Sequence, residues 1–296
     1  MRIHTSIAAL RATRVQVGRV ALVPTMGNLH DGHIALMHAA REFVNADFPS
    51  SPPTPLPQGE RGVKRGTVIA SIFVNRLQFG QGEDFDKYPR TFEADCERLA
   101  AAGIDHLFAP DEAEMYPKPQ RYHVTPDPEH ASILEGAFRP GHFGGVVTVV
   151  LKLFNIVQPN VALFGKKDYQ QVMVLKNMVH ELGLPIEIIA LDTVRNADGL
   201  AQSSRNSYLS AEERAEAPRL YQQLSAVAEA VRNGAHDFVS LEATALAELE
   251  QHGWKPDYLT VRRRTDLKIP EQPDEPLVVL AAACLGTTRL IDNIEI

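Results

Sequence analysis

The chain predicts an α/β fold: a doubly wound parallel sheet followed by a smaller C-terminal α+β domain. Three observations carry this. Over residues 1–193, short apolar, β-branched runs alternate with stretches of helical periodicity, the grammar of strand–helix–strand units. From residue 194 the alternation stops, and two helical stretches precede three strand-like runs. The 296 residues are 44% hydrophobic and 23% charged, enough apolar material to bury one large core or two ordinary ones.

In order, residues 20–23 read as a buried strand stopped at Pro24. A helix follows from about His33, with Ile34, Met37, Ala40 and Val44 at helical spacing. Residues 46–66 hold five prolines between positions 49 and 57, a Pro-rich insertion loop without a core-forming pattern. Residues 67–74 are the next strand, 91–102 a helix closed by Gly103, and 106–109 a short strand. Residues 145–157 read as an apolar helix, 161–164 as a strand, 168–182 as a helix ended by Gly183, and 186–191 as a strand. In the second part, Ser210 and Glu213 form a capping box before a helix running towards Gly234, and another helix follows Ser240. Residues 258–262, 277–282 and 288–291 then read as strands. The expected division is 1–193 and 194–296.

Four polar constellations stand out. Met26, Gly27, Asn28, Leu29, His30, Asp31, Gly32 and His33 occupy the turn from the first strand into its helix. There a doubly wound sheet opens its ligand crevice, and a helix start offers free N–H groups to phosphate. His30 and His33 can then aim at one phosphate group, or they are two surface histidines in a loop. Gly165, Lys166, Lys167 and Asp168, with Gln170 and Gln171, open a later helix. Lys167 can neutralise phosphate, and one of the two lysines is expected to be only a solvated charge. Asp168 can accept from a ribose hydroxyl or serve as an N-cap with Gln171 in a capping box. Gln202, Ser203, Ser204 and Arg205 suit phosphate oxygens, or form an ordinary polar linker. Asn75 and Gln78 follow a strand end, where an amide can orient a hydroxy acid or simply make a turn.

Taken together, the stretches VPTMGNLHDGH, SIFVNRLQFG with GEDFDKYPRT, LEGAFRPGHFGGVVTVVLKLFNIVQP, LFGKKDYQQ, DTVRNADGLAQSSRNSYLS and GTTRLIDNIEI resemble the pantothenate synthetase family. That family belongs to the wider HxGH nucleotidyltransferase group, so the expected sheet is Rossmann-like. The resemblance implies an enzyme, a carbon–nitrogen ligase that condenses pantoate with β-alanine through a pantoyl-adenylate, releasing AMP and pyrophosphate. It implies a catalytic role for His33, with His30, Lys167 and Arg205. It carries ATP contacts onto residues 26–33, Gly165 to Asp168, Val194, and Gln202 to Arg205. Pantoate and β-alanine contacts fall on Gln78 and Gln171. It further implies Mg²⁺ held mainly through the ATP phosphates rather than by a protein metal site, and a homodimer. The chain departs from the family pattern at Asn28 (usually Ala), Arg76 (Pro or Thr), Lys166 (an acid), Gln202 (Met) and Cys284 (Arg), and in the 46–66 insertion, which is expected to lie away from the site.

The bulk numbers bound the alternatives. A net charge of −7 argues against a nucleic-acid surface. No apolar run is long enough to span a bilayer, residues 1–14 carry no secretory pattern, and two distant cysteines, Cys96 and Cys284, suit a reducing compartment. A cytoplasmic location is expected. Two other readings are a different HxGH nucleotidylyltransferase, whose product would keep the nucleotide, and a nucleotide-sensing module without turnover.

Overall fold

The computed structural model describes residues 1–14, 18–46, 66–272 and 275–296. The strands are β1 (Arg2–His4), β2 (Val20–Thr25), β3 (Thr67–Ile72), β4 (His106–Phe108), β5 (Val161–Gly165), β6 (Glu187–Leu191), β7 (Trp254–Arg263), β8 (Leu277–Leu285) and β9 (Thr288–Glu295). The helices are α1 (Ile7–Arg14), α2 (Asp31–Asn45), α3 (Phe92–Ala101), the single turns α4 (Glu112–Met115), α5 (Pro128–Ala131) and α6 (Glu135–Phe138), then α7 (His142–Val157), α8 (Tyr169–Glu181), α9 (Ala211–Glu216), α10 (Arg219–Arg232) and α11 (Phe238–Gln251).

β1 to β6 form one parallel sheet in the order β1-β4-β3-β2-β5-β6. Because a strand's side chains alternate between its faces, each inner strand feeds two cores. Val20 and Leu22 join Ile69, Ala162 and Phe164 in one cluster with α7 and α8. Ala21 and Val23 join Val68, Ala70, Val161 and Leu163 in the other, against α2 and Leu99 of α3. Strands buried on both faces read as continuous apolar runs, which is why they are visible in the sequence. A third cluster, drawn from Leu200 to Leu290, fills the space between α10, α11 and the antiparallel sheet β7-β8-β9.

The chain leaves β2 towards β3 on one side and later resumes with β5 on the other, so the switch point lies between β2 and β5. Their pairing covers only Ala21–Val161 and Leu22–Ala162; beyond it the strands part and the crevice opens. Pro24 fits here. Val20 C=O accepts from Asn160 N–H at 2.8 Å, whereas Thr25 C=O accepts from Phe73 N–H on the β3 side at 3.1 Å. Even-numbered residues of β2 therefore face β5, and the N–H that Pro24 lacks would point where no partner strand remains. The strand consequently continues through Pro24 to Thr25 rather than stopping before it.

Other differences from the sequence reading have local causes. α2 starts at Asp31, two residues early, because His30 is the extended N-cap. The helix expected from Ser210 to Gly234 is broken into α9 and α10 at Pro218. Asp237 caps α11 by accepting from Ser240 N–H at 3.1 Å. β1 and α1 have no counterpart in the sequence pattern: β1 has three residues and pairs only with β4 at the sheet edge. The Pro-rich insertion lies outside the described residues except at its ends. Arg41 of α2 donates to Gly66 C=O at 3.0 Å, so the ends meet at the N-terminal edge of β3, opposite the crevice.

Candidate active site

The crevice is a cleft with about 1420 Å³ between its walls, open solvent included. Met26, His30, Gly32, His33, Gln78, Gly165, Lys167, Asp168, Gln171, Val194, Gln202, Ser203, Ser204 and Arg205 all line it. Gly27, Asn28, Leu29, Asp31 and Lys166 do not, and each is occupied elsewhere.

The turn after β2 is held from below. Gly27 and Asn28 have φ of +85° and +49°. The buried Asp95 carboxylate accepts from Asn28 N–H and Leu29 N–H, both at 2.8 Å, which holds the left-handed conformation and delivers His30 to the N-cap of α2. Leu29 goes into the core, and Asp31 faces outward to pair with Arg98. Gly32 keeps room for the His30 ring: a Cβ there would lie 3.0 Å from it, so the ring would have to give way by a few tenths of an ångström.

The two histidine rings lie against each other, centroids 4.0 Å apart and planes tilted by 41°. His30 N–H donates to His33 Nδ1 at 3.3 Å. That bond fixes the His33 tautomer, leaving Nε2 as the N–H donor. Burial, then the neighbouring His30, which would resist a second charge beside it, and the cations Lys167 and Arg98, push the His33 pKa down to about 3. Burial and Lys167 push His30 down to about 4. Both rings are neutral at physiological pH.

The lysines separate. Lys166 pairs with Asp192 at 2.8 Å and Glu295 at 3.0 Å; it is a paired rather than a solvated charge, and it does not line the cleft. Lys167 lines the cleft. Asn293 of β9 sets the direction of this turn, donating to the carbonyls of Lys166 at 2.8 Å and Lys167 at 3.0 Å. Asp168 occupies the N-cap position of α8 without making a side-chain cap bond, so the capping-box reading fails and its carboxylate is left to the cleft. Gln170 is buried and structural, donating to the carbonyls of His130 and Ile133 at 2.7 and 2.9 Å, while Gln171 faces the cleft.

The 202–205 segment is docked on the helix start rather than being a loose linker. Gly32 N–H donates to Gln202 Oε1 at 3.2 Å. Asn28 Nδ2 donates to Ser204 C=O at 3.2 Å, and Ser204 Oγ donates to Asn28 C=O at 3.0 Å. Arg205 is held by Asp84 through Nε at 2.9 Å and Nη2 at 3.0 Å, which leaves Nη1 for a ligand.

Several contributors were missed from the sequence. Arg139 and His142 line the cleft. Arg139 forks onto Glu83 at 2.8 and 2.6 Å and donates to His142 Nε2 at 3.1 Å. Arginine only donates, so the His142 proton sits on Nδ1, which donates to Gln78 C=O at 2.8 Å. Gly145 lets α7 touch the short 3₁₀ turn Arg76–Gln78: a Cβ there would fall 2.1 Å from Leu77 O. The available signals were the Gly144–Gly145 pair in an apolar helix and the acid-rich segment after Gln78, neither specific alone.

Neutral donors on a helix start, a lysine, and two amides therefore converge on one crevice, an arrangement suited to stabilising charge on a phosphate while holding a small polar acid. The pantoate-β-alanine ligase family model matches residues 2–48 and 60–295. The pantothenate synthetases of Chromobacterium violaceum and Neisseria meningitidis serogroup B are each 54% identical over 297 residues, covering 100% of this chain and 99% of the relative. The solved pantothenate synthetase of Thermus thermophilus superposes with a TM-score of 0.88 at 40% identity, covering 100% of this chain and 99% of that one. The pantoate-β-alanine ligase of Francisella tularensis, complexed with β,γ-ATP and β-alanine, does so with a TM-score of 0.77 at 32% identity, covering 100% and 97%. The chain belongs to the pantoate–β-alanine ligase family, and is a ligase of pantothenate synthesis.

Proposed function

We propose that the cleft joins pantoate to β-alanine in two steps, using ATP to make the carboxylate reactive. A carboxylate resists amines because oxide is a poor leaving group; transfer of AMP onto it supplies a good one. In the first step the pantoate carboxylate attacks the α-phosphorus and pyrophosphate leaves. In the second, the β-alanine amine attacks the carbonyl of the acyl-adenylate and AMP leaves. The observation that carries this reading is the pair of neutral histidines at the start of α2, facing the same cleft as Gln78 and Gln171. The complex of the Francisella relative with β,γ-ATP and β-alanine supports it.

In this reading His33 Nε2–H and His30 donate to phosphate oxygens as negative charge builds. Lys167, Ser203, Ser204 and the free Nη1 of Arg205 share that charge. Gln78 and Gln171 hold pantoate by its hydroxyls and carboxylate. No group of three or more His, Cys, Asp or Glu among the described residues forms a metal site. The family resemblance implies that Mg²⁺ comes on the ATP phosphates and neutralises their charge; Asp168, which lines the cleft, would offer it an oxygen ligand.

The two clusters about the parallel sheet and the separate cluster about the antiparallel sheet support a division into a nucleotide- and pantoate-binding domain, 1–193, and a lid domain, 194–296; a smaller cluster of Leu134, Met173, Leu267, Val278 and Leu280 packs the two together, and the second reaches the cleft through the 202–205 segment. The family resemblance implies a homodimer, which light scattering checks; the cytoplasmic location is the expectation set by the two distant cysteines and the sequence pattern. The decisive experiment incubates ATP, pantoate and β-alanine and follows pantothenate and nucleotide. The expected result is one AMP per pantothenate. A product that retains the nucleotide, or ADP in place of AMP, overturns the mechanism.

A further inference from the structure

The orientation of the Gln78 amide is set from behind the cleft wall. Asn75 is 1% exposed, and its Nδ2 lies 3.2 Å from Gly145 C=O. A backbone carbonyl only accepts, so that end of the Asn75 amide must be the NH₂ group. The same Nδ2 reaches Gln78 Oε1 at 3.2 Å. Gln78 Oε1 is therefore the accepting end, turned to the wall, and Nε2 is the donating end, beside Met26 Sδ at 3.3 Å. Asn75 Oδ1 is left for Tyr116, whose hydroxyl lies 2.8 Å away. Burial, then Glu112, raises the Tyr116 pKa, so the phenol is protonated and donates.

We propose that Tyr116 is a positioning residue for the ligation: acting through Asn75, it makes Gln78 present Nε2–H, a donor, to an oxygen of the hydroxy acid. The hydroxyl is the only part of Tyr116 in this chain of bonds. Its ring packs separately, 6.0 Å from the Phe73 ring centroid and under Lys152 Nζ at 4.6 Å, so Tyr116→Phe removes the signal and keeps the packing. Without the phenol, Asn75 Oδ1 loses its donor and the amide is oriented by the 3.2 Å bond to Gly145 C=O alone, so the Gln78 amide is held less firmly and turns Oε1 more readily towards ligand oxygens, where two acceptors face each other.

The proposal rests on Gln78 contacting pantoate, and the test separates the two ideas. Pantoate- and ATP-dependence of AMP release are measured for wild type, Tyr116→Phe, Gln78→Ala and the double variant. Tyr116→Phe is expected to raise KM for pantoate roughly 5–20-fold, the scale of one lost hydrogen bond plus a mismatched one. KM for ATP and the Tm should be nearly unchanged, and Tyr116→Phe should add nothing in the Gln78→Ala background. Gln78→Ala with wild-type pantoate kinetics overturns the substrate reading of Gln78. An impaired Gln78→Ala beside an unimpaired Tyr116→Phe, or equal losses against ATP and pantoate, overturns the positioning role alone. Should Tyr116→Phe fail to fold, Asn75→Asp carries the test. It keeps the shape but cannot donate to both Gly145 C=O and Gln78 Oε1, and it must produce the same split.

Discussion

Replacing His33 by alanine removes a donor whose identity the structure fixes. Nδ1 accepts from His30 N–H, so the cleft receives Nε2–H from a neutral ring. A preorganised donor aimed at developing charge contributes about 10²–10³ in turnover, or roughly 3–4 kcal/mol, and His33→Ala should lose that much. The assay is pantoate-dependent exchange of labelled pyrophosphate into ATP, which isolates the first step. The pH dependence tells a neutral donor from a charged one. With its pKa pushed down to about 3, His33 in the free enzyme keeps its working neutral form at every pH above that value and gains charge only below it. The kcat/KM profile, which reports the free enzyme, should therefore show no loss assignable to His33 as pH rises through 6.5. His33→Gln, which keeps an amide N–H, should recover part of the rate. Wild-type exchange in His33→Ala would refute the assignment. A limb falling through pH 6.5 that disappears in His33→Gln would show that the ring acts as a charged acid.

Gly145→Ala should lower kcat/KM for pantoate by roughly 10²-fold, because the new Cβ meets only backbone, 2.1 Å from Leu77 O and 2.6 Å from Gln78 N, and must push the turn carrying Gln78 out of place; steady-state kinetics with pantoate varied checks it. Lys167→Met should reduce kcat/KM for ATP about 10–100-fold, the scale of a lost charge-assisted bond to phosphate. Lys166→Met should leave that constant within about two-fold and cost about 1 kcal/mol in urea unfolding, since its partners are Asp192 and Glu295 at a partly exposed site. Deleting residues 49–59, which the family model leaves unmatched, should keep kcat within about two-fold, because the flanks Arg41 and Gly66 are already bonded at the strand edge away from the cleft; a large loss of kcat at unchanged Tm would reject that.

The sequence by itself determined the sheet, the second core and the neighbourhood of the site. Strands buried on both faces must be apolar runs, amphipathic helices must show their period, and a phosphate crevice falls at a strand-to-helix turn, so residues 26–33 and Gly165 to Asp168 could be placed from local pattern. It also left choices that local pattern cannot make. Lys166 and Lys167 are adjacent and chemically alike; Asp192, and Asn293 and Glu295 more than a hundred residues later, decide which one faces the cleft. Asp168 has the spacing of a capping box but makes no cap bond. Arg205 looks free in sequence and is held by Asp84 across the cleft. The two histidines looked like interchangeable proton donors until one backbone N–H fixed a tautomer and burial with Lys167 removed their charge. Direction, tautomer and charge state depend on groups that the fold brings within hydrogen-bonding reach, and sequence spacing of a few residues carries no information about them. The HxGH turn thus marks where the chemistry is, and the tertiary contacts of Asp95, Asn293, Asn75 and Tyr116 decide which atoms face it.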